Sequence, residues 1–327
     1  MKYPIKVLRK DNCLKAFPKN TKEVSLIIKF CNKMKINVIQ LGGETNRVRG
    51  TSGVPEKLNM LIDFKEMNKI EEIDIENMII TAQAGVKLNK IQNISSKKGF
   101  IFPVNIAPSE KCTVGGNIST NVGGLQTLKY GNIEDHINGL EIVLSDGTIL
   151  DFQSKLKKDN FGPKLWKIFC GSEGIFGTVT KANLKLLPKK EFKTTYLLEI
   201  NNLSNVRTLF KNLRSEFYDD LTSFEIIFPI PSYFLFKKKS NYHLIIEFNS
   251  KHKINFIETI KKKMKFDKIR LLKSEKNINK SWIWSKREEL VHNQVKYNFM
   301  QKFDISLPLN KWIYFVREVN KFIKINQ

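Results

Sequence analysis

The sequence predicts an α+β protein of two domains, residues 1–190 and 191–327, on three observations. A length of 327 residues suits two domains. Segments with helical and with strand periodicity alternate along the whole chain, and some of the strands pair through tight turns. Glycine is frequent up to Gly177 and missing beyond it, and Leu186-Leu187-Pro188-Lys189-Lys190 reads as a strand running into a linker.

In the first half, Thr21–Lys35 opens on a capping threonine and repeats Val24, Ile27, Ile28 and Cys31 at helical spacing. Asn37–Leu41 is a short strand that runs directly into Gly42-Gly43. Leu61–Phe64 and Met78–Gln83 read as strands, and Val86–Lys98 as an amphipathic helix ending at Gly99. Leu140–Leu144 and Thr148–Phe152 flank Asp146-Gly147, the signature of a hairpin. In the second half, strands are expected at Thr194–Ile200, Ser223–Ile227 and Tyr242–Phe248. Helices are expected at Leu203–Phe217, Lys253–Lys265, Ser281–Tyr297 and Leu309–Ile323. That order suggests an antiparallel sheet with helices packed on it.

Composition narrows the function. With 41% hydrophobic and 27% charged residues the chain is globular, and its apolar runs are too short to span a bilayer. The N-terminal stretch carries no apolar signal core, and the four cysteines form no C-x-x-C pair, so a reducing, cytoplasmic setting is expected. The net charge of +24 suggests an anionic partner, but only eight of the 56 basic residues are Arg and the lysines are dispersed. Solvated lysine faces explain most of this, and nucleic acid is set aside as a partner; an acidic partner or an anionic membrane face, touched peripherally, is the remaining option. No G-x-G-x-x-G, P-loop or G-x-S-x-G occurs, and His136, His243, His252 and His292 form no ligand pair, so no metal site is read from them.

Three glycine-dense segments stand out in the first half. They are Gly42–Asn46, the run TVGGNISTNVGG at Thr113–Gly124, and GSEGIFG at Gly171–Gly177. One such segment is most simply a tight turn between strands. Three of them, rich in Gly, Ser, Thr and Asn and confined to one domain, favour a large phosphate-bearing cofactor, because backbone N–H groups can then converge on an anion.

These residues carry a resemblance. LGGETN (Leu41–Asn46), KCTVGGNISTNVGGLQTLKYG (Lys111–Gly131), GLEIVLSDGTIL (Gly139–Leu150), KDNFG (Lys158–Gly162) and GSEGIFGTVTKANLKLLP (Gly171–Pro188) resemble, in order, the FAD-binding PCMH-type (vanillyl-alcohol-oxidase-like) flavoproteins. Within them the chain is most similar to the D-2-hydroxy acid dehydrogenases of the D-2-hydroxyglutarate, D-lactate and glycolate oxidase type. The resemblance implies a two-part FAD-binding domain over 1–190 and a substrate (cap) domain of antiparallel sheet and helices over 191–327, cut short at its C-terminus.

For the cofactor, the resemblance implies contacts from Gly42, Gly43, Glu44, Thr45 and Asn46, then from Thr113, Gly115, Gly116, Asn117, Thr120, Gly123 and Gly124. The third set is Gly171, Glu173, Gly174, Gly177 and Val179. Relatives with covalent flavin often carry histidine after the paired glycines. Glu44 stands there, so non-covalent FAD is expected. Arg47 and Arg49 depart from the pattern.

In the second domain, Trp284–Glu288 is similar to a W-x-x-R-E helix and Lys302–Pro308 to a K-Y-D-x-S-x-P strand, which implies Arg287 and Lys302 as ligands of substrate carboxylates. The threonine usual one turn after the arginine is Val291. The family's divalent metal, such as zinc, has its ligands and the proposed base in a later H-x-G-D-G-N-x-H region. That region has no counterpart in these 327 residues, so no catalytic residue is assigned.

The implied activity is hydride transfer from the Cα of a small 2-hydroxy acid to flavin N5, giving a 2-oxo acid, with a quinone or electron-transferring flavoprotein as acceptor. A separately encoded C-terminal half or a homodimer is an expected partner. A non-catalytic or decayed FAD holder is the alternative.

Overall fold

The computed structural model describes residues 6–10, 12–45, 57–236, 242–264, 269–278, 281–293 and 305–325. Asn46, Arg47, Arg49 and Lys302 lie outside the described residues. The chain divides into two compact units, Met1–Lys190 and Glu191–Gln327. Among the described residues no helix is long and apolar enough to cross a membrane.

The first unit runs β1 (Lys6–Lys10), β2 (Cys13–Phe17), α1 (Thr21–Met34), β3 (Asn37–Leu41), β4 (Asn59–Asp63), β5 (Ile70–Asp74), β6 (Ile79–Gln83) and α2 (Leu88–Lys97). It continues with β7 (Phe100–Ile101), α3 (Val114–Ser119), α4 (Thr127–Tyr130), β8 (Ile137–Val143), β9 (Ile149–Asp151), β10 (Thr178–Lys185) and β11 (Leu187–Pro188). Two larger sheets result. One has the order β1-β2-β4-β3, with β4 parallel to both β2 and β3; the other is antiparallel, β5-β6-β10-β8-β9. The expected hairpin is the β8–β9 pair, joined through Asp146-Gly147.

Helix α1 packs Val24, Ile27, Ile28 and Cys31 onto Ala16, Met60 and Ile62 of the first sheet and Val143 of the second. Its N-cap is Asn20, not Thr21: the Asn20 side chain accepts from the Glu23 N–H at 3.0 Å. Thr21 is thereby freed to donate its hydroxyl to the buried carboxylate of Glu141 on β8. On the other side of the second sheet, Ile80, Leu140, Ile142, Ala182 and Leu184 meet Leu88 and Ile91 of α2 and Val114 and Ile118 of α3.

The second unit runs β12 (Phe192–Ile200), α5 (Leu203–Glu216), β13 (Leu221–Ile227), α6 (Pro229–Phe236), β14 (Tyr242–Ser250), α7 (Phe256–Met264), β15 (Ile269–Lys276), α8 (Trp282–Asn293) and α9 (Trp312–Ile325). Its sheet is antiparallel, ordered β13-β14-β12-β15, which is a split β-α-β arrangement. Period-two alternation sorts the strands. Tyr196, Leu198, Leu244, Ile246 and Phe248 face the apolar side of α5 and α7 (Val206, Leu209, Leu213, Phe256, Ile260). The intervening residues of β13 and β14, Glu225 and Glu247, face the helix α8. With both faces covered, β14 is buried over nearly its whole length.

Candidate functional site

The three glycine-dense segments of the first unit meet. Strand β3 delivers Gly42 to the start of α3: a Cβ added at Gly42 would lie 2.6 Å from Thr113 Oγ1 and 3.7 Å from Gly116 Cα. The third segment docks on the end of α3, where the N–H groups of Gly171 and Glu173 donate to the carbonyls of Ile118 and Ser119 at 3.0 and 2.8 Å. The first and third segments are pinned to each other by Gln40, whose Nε2 donates to Thr178 Oγ1 at 2.9 Å and to the Gly174 carbonyl at 3.4 Å.

The glycines of this cluster serve two different ends. At Gly43 a Cβ would sit 2.1 Å from the Lys111 carbonyl oxygen, at Gly124 2.3 Å from that of Asn105, and at Gly115 2.8 Å from the Ala84 Cβ. At Gly43 and Gly124 backbone passes against backbone, and at Gly115 it passes against the Ala84 methyl. Gly116 differs: an added Cβ would meet only Thr113 Oγ1, at 3.2 Å, and otherwise point into open space beside Gly42. Gly171 is similar, with Asn121 Cβ alone at 3.3 Å. Bare backbone at Gly116 therefore faces open space beside Gly42, and glycine backbone of this kind can come close to an anionic diphosphate group. The second segment is not a loop throughout: Val114–Ser119 closes into a short helix capped by Thr113, whose Oγ1 accepts from the Gly116 N–H at 3.3 Å.

Several expected site residues are spoken for by the fold. Asn117 is buried and donates its side-chain amide to Cys112 Sγ at 3.6 Å. Val179 lies in the core. A Cβ at Gly177 would meet Ile142 at 2.8 Å and Phe169 at 2.9 Å, and one at Gly123 would meet Asn132 Oδ1 at 2.7 Å. The Thr120 hydroxyl donates back to the Gly116 carbonyl at 3.0 Å. Glu44 and Glu173 both hold left-handed backbone, φ 52° each, at the bends of their segments. Thr45 is half-buried. Next to Gly171, burial and then the nearby Glu134 carboxylate push the Cys170 thiol up to about 12, so it stays protonated. Gln40 is a site-building residue that the sequence does not signal; its partners are over a hundred residues away along the chain.

In the second unit, Arg287 of α8 meets Glu225 of β13 in a two-point pair, Nε to Oε2 at 2.8 Å and Nη2 to Oε1 at 3.3 Å. One turn earlier, Trp284 Nε1 donates to Oε2 of Glu247 on β14 at 2.8 Å. Glu247 is 1% exposed, and Lys193 Nζ lies 3.1 Å from the same oxygen. Among the described residues, no three His, Cys, Asp or Glu side chains gather as a possible metal centre.

Residues 14–153 match the FAD binding domain family. A rice protein (Oryza sativa subsp. indica) named "Probable D-2-hydroxyglutarate dehydrogenase, mitochondrial" is 32% identical over 318 residues, covering 92% of this chain and 56% of its own length. The glycolate oxidase subunit GlcD of Bacillus subtilis (strain 168) is 42% identical over 187 residues, covering 57% of this chain and 39% of its own. The chain thus spans about half the length of the curated relatives it matches. Among solved structures, alkyldihydroxyacetonephosphate synthase superposes with a TM-score of 0.77 at 20% identity, covering 95% of this chain and 65% of that one; this likeness speaks to the fold. By its matched residues and its relatives, the chain carries an FAD-binding domain of the PCMH type, with FAD as its cofactor.

Proposed function

We propose that the chain is the FAD-holding part of a dehydrogenase acting on D-2-hydroxy acids. The observation that carries this reading is that the three glycine-dense segments meet, with Gly42 beside Gly116 and the third segment docked on the end of α3. When bound there, FAD supplies the two-electron redox chemistry that converts a 2-hydroxy acid to a 2-oxo acid. Gly116, whose missing side chain leaves open space, and Gly42 beside it would let a diphosphate come close to the backbone. Thr45, Glu44 and the Gly171–Gly174 backbone, with Glu173, would line the same site, and the bare backbone of Gly43, Gly115, Gly123, Gly124 and Gly177 lets the surrounding segments pack closely. Non-covalent attachment fits Glu44 at the position after the paired glycines and a protonated Cys170 thiol beside the third segment.

In this reading Arg287 binds a substrate carboxylate with its planar fork, and Lys302 a second carboxylate with its point charge. The electron acceptor is a quinone or an electron-transferring flavoprotein. A net charge of +24 suits docking to an acidic acceptor or an anionic membrane face. Four free thiols, Cys13, Cys31, Cys112 and Cys170, suit a reducing compartment such as the cytoplasm.

The test is reduction. Anaerobic addition of D-2-hydroxyglutarate or D-lactate to the FAD-loaded chain should bleach its visible flavin absorbance. Flavin that is retained but unbleached by either acid, with and without a supplied C-terminal fragment of a relative, would overturn the dehydrogenase reading in favour of a flavin holder.

A further inference from the structure

We propose that Glu225 is a positioning residue for the substrate carboxylate: it holds the Arg287 guanidinium by one edge so that the other edge is presented to the ligand. The inference rests on the reading of Arg287 as the carboxylate anchor and adds to it the group that aims the anchor.

A guanidinium carries five N–H donors, arranged as a side-on edge (Nε and Nη2) and an end-on edge (Nη1 and Nη2). Glu225 occupies the side-on edge, with Nε to Oε2 at 2.8 Å and Nη2 to Oε1 at 3.3 Å. Among the described residues Nη1 has no partner, so the end-on edge is left open to a second planar carboxylate. Both side chains remain partly exposed, 32% for Arg287 and 26% for Glu225, so a small anion can reach the pair.

The pair is not what holds the helix down. Helix α8 is fastened one turn earlier by Trp284, whose indole N–H reaches the buried Glu247, and Ile283 and Trp284 are themselves buried. Trp284 and Arg287 lie on one helix face at spacing i, i+3, and their partners lie on adjacent strands: Glu247 pairs in register with Ser223, and Glu225 with Ile245. The buried contact sets where the helix lies, and the half-exposed one sets where the fork points. A fork fixed in its plane by Glu225 accepts a carboxylate that lies in that same plane, which favours a flat two-point ligand over a tetrahedral anion.

The experiment uses the full chain loaded with FAD and 2-oxoglutarate as a probe that does not turn over, with affinity read by calorimetry. Glu225→Ala should weaken binding about tenfold, the loss expected for a charge-assisted contact of about 1.4 kcal/mol. Its melting temperature should stay close to that of the parent. Glu225→Asp, which keeps a carboxylate, should recover part of the affinity, and Glu225→Gln supplies the same measurement with the side-chain shape retained if the alanine variant fails to fold. In an Arg287→Lys background, where no fork exists to aim, removing Glu225 should have no further effect on affinity. Parent-like affinity in Glu225→Ala, or an equal loss in the Arg287→Lys background, overturns the inference. Unchanged affinity in Arg287→Ala instead overturns the underlying reading of Arg287.

Discussion

The backbone N–H of Glu173 donates to the carbonyl of Ser119 at 2.8 Å, and this bond joins two glycine-rich segments that are far apart along the chain. With Gln40 tying β3 to Gly174 and Thr178, it makes the meeting of the three glycine-dense segments a property of the tertiary structure rather than of any one loop.

Gly43 and Gly116 should fail differently when substituted. Gly43→Ala puts a Cβ 2.1 Å from the Lys111 carbonyl, and the backbone must shift. A loss of about 1–3 kcal/mol in denaturant unfolding of the apo-protein is expected. Gly116→Leu fills the open side, so apo stability should stay near the parent's while FAD affinity drops. Equal destabilisation by the two would contradict the division.

FAD should stabilise the fold in proportion to its affinity. At a free concentration a hundred times its dissociation constant the gain is about 2.7 kcal/mol. Thermal melts across an FAD series measure it, and a melting temperature indifferent to FAD counts against the site.

Trp284→Phe removes the indole N–H from Glu247, a carboxylate that is 1% exposed. The expected cost is about 1–3 kcal/mol of unfolding free energy. FAD affinity, which depends on the first unit, should not change. Chemical denaturation followed alongside FAD titration checks both.

His136 is buried with Nε2 donating to the Tyr130 carbonyl at 2.7 Å, and burial holds its imidazole below the ordinary value of 6.5. A group whose folded value is depressed binds more protons when unfolded, so its contribution is complete above 6.5 and declines as pH falls below it. Urea unfolding at about pH 7.5 and about pH 5.5 should show this loss. His136→Asn, less stable at neutral pH, should lack that component of the slope.

Much of this was legible in the sequence. The Val24, Ile27, Ile28, Cys31 repeat marks α1, Asp146-Gly147 marks the β8–β9 turn, and the order of the glycine segments marks the cofactor domain. What was not legible has physical causes. The hairpin of β1 and β2 and the strand β15 (IRLLKSEK) are lysine-rich, so their alternation is blurred by side chains that snorkel to solvent. Asn20 outcompetes Thr21 as a cap because Thr21 has a buried partner, Glu141, which only tertiary structure supplies. The same holds at the sites. The motif around Arg287 is readable, but Glu225 lies 62 positions away on another strand, and Gln40 meets Gly174 across 134. Glycine spacing likewise does not distinguish Gly43, which admits backbone, from Gly116, which faces open space.

The central claim is that the three joined segments hold FAD. Titrating apo-protein with FAD and following quenching of the flavin fluorescence tests it most directly. Saturation at one FAD per chain, released intact by acid and weakened by Gly116→Leu, is expected; flavin fluorescence that stays unquenched at every protein concentration would rule out FAD binding by these segments.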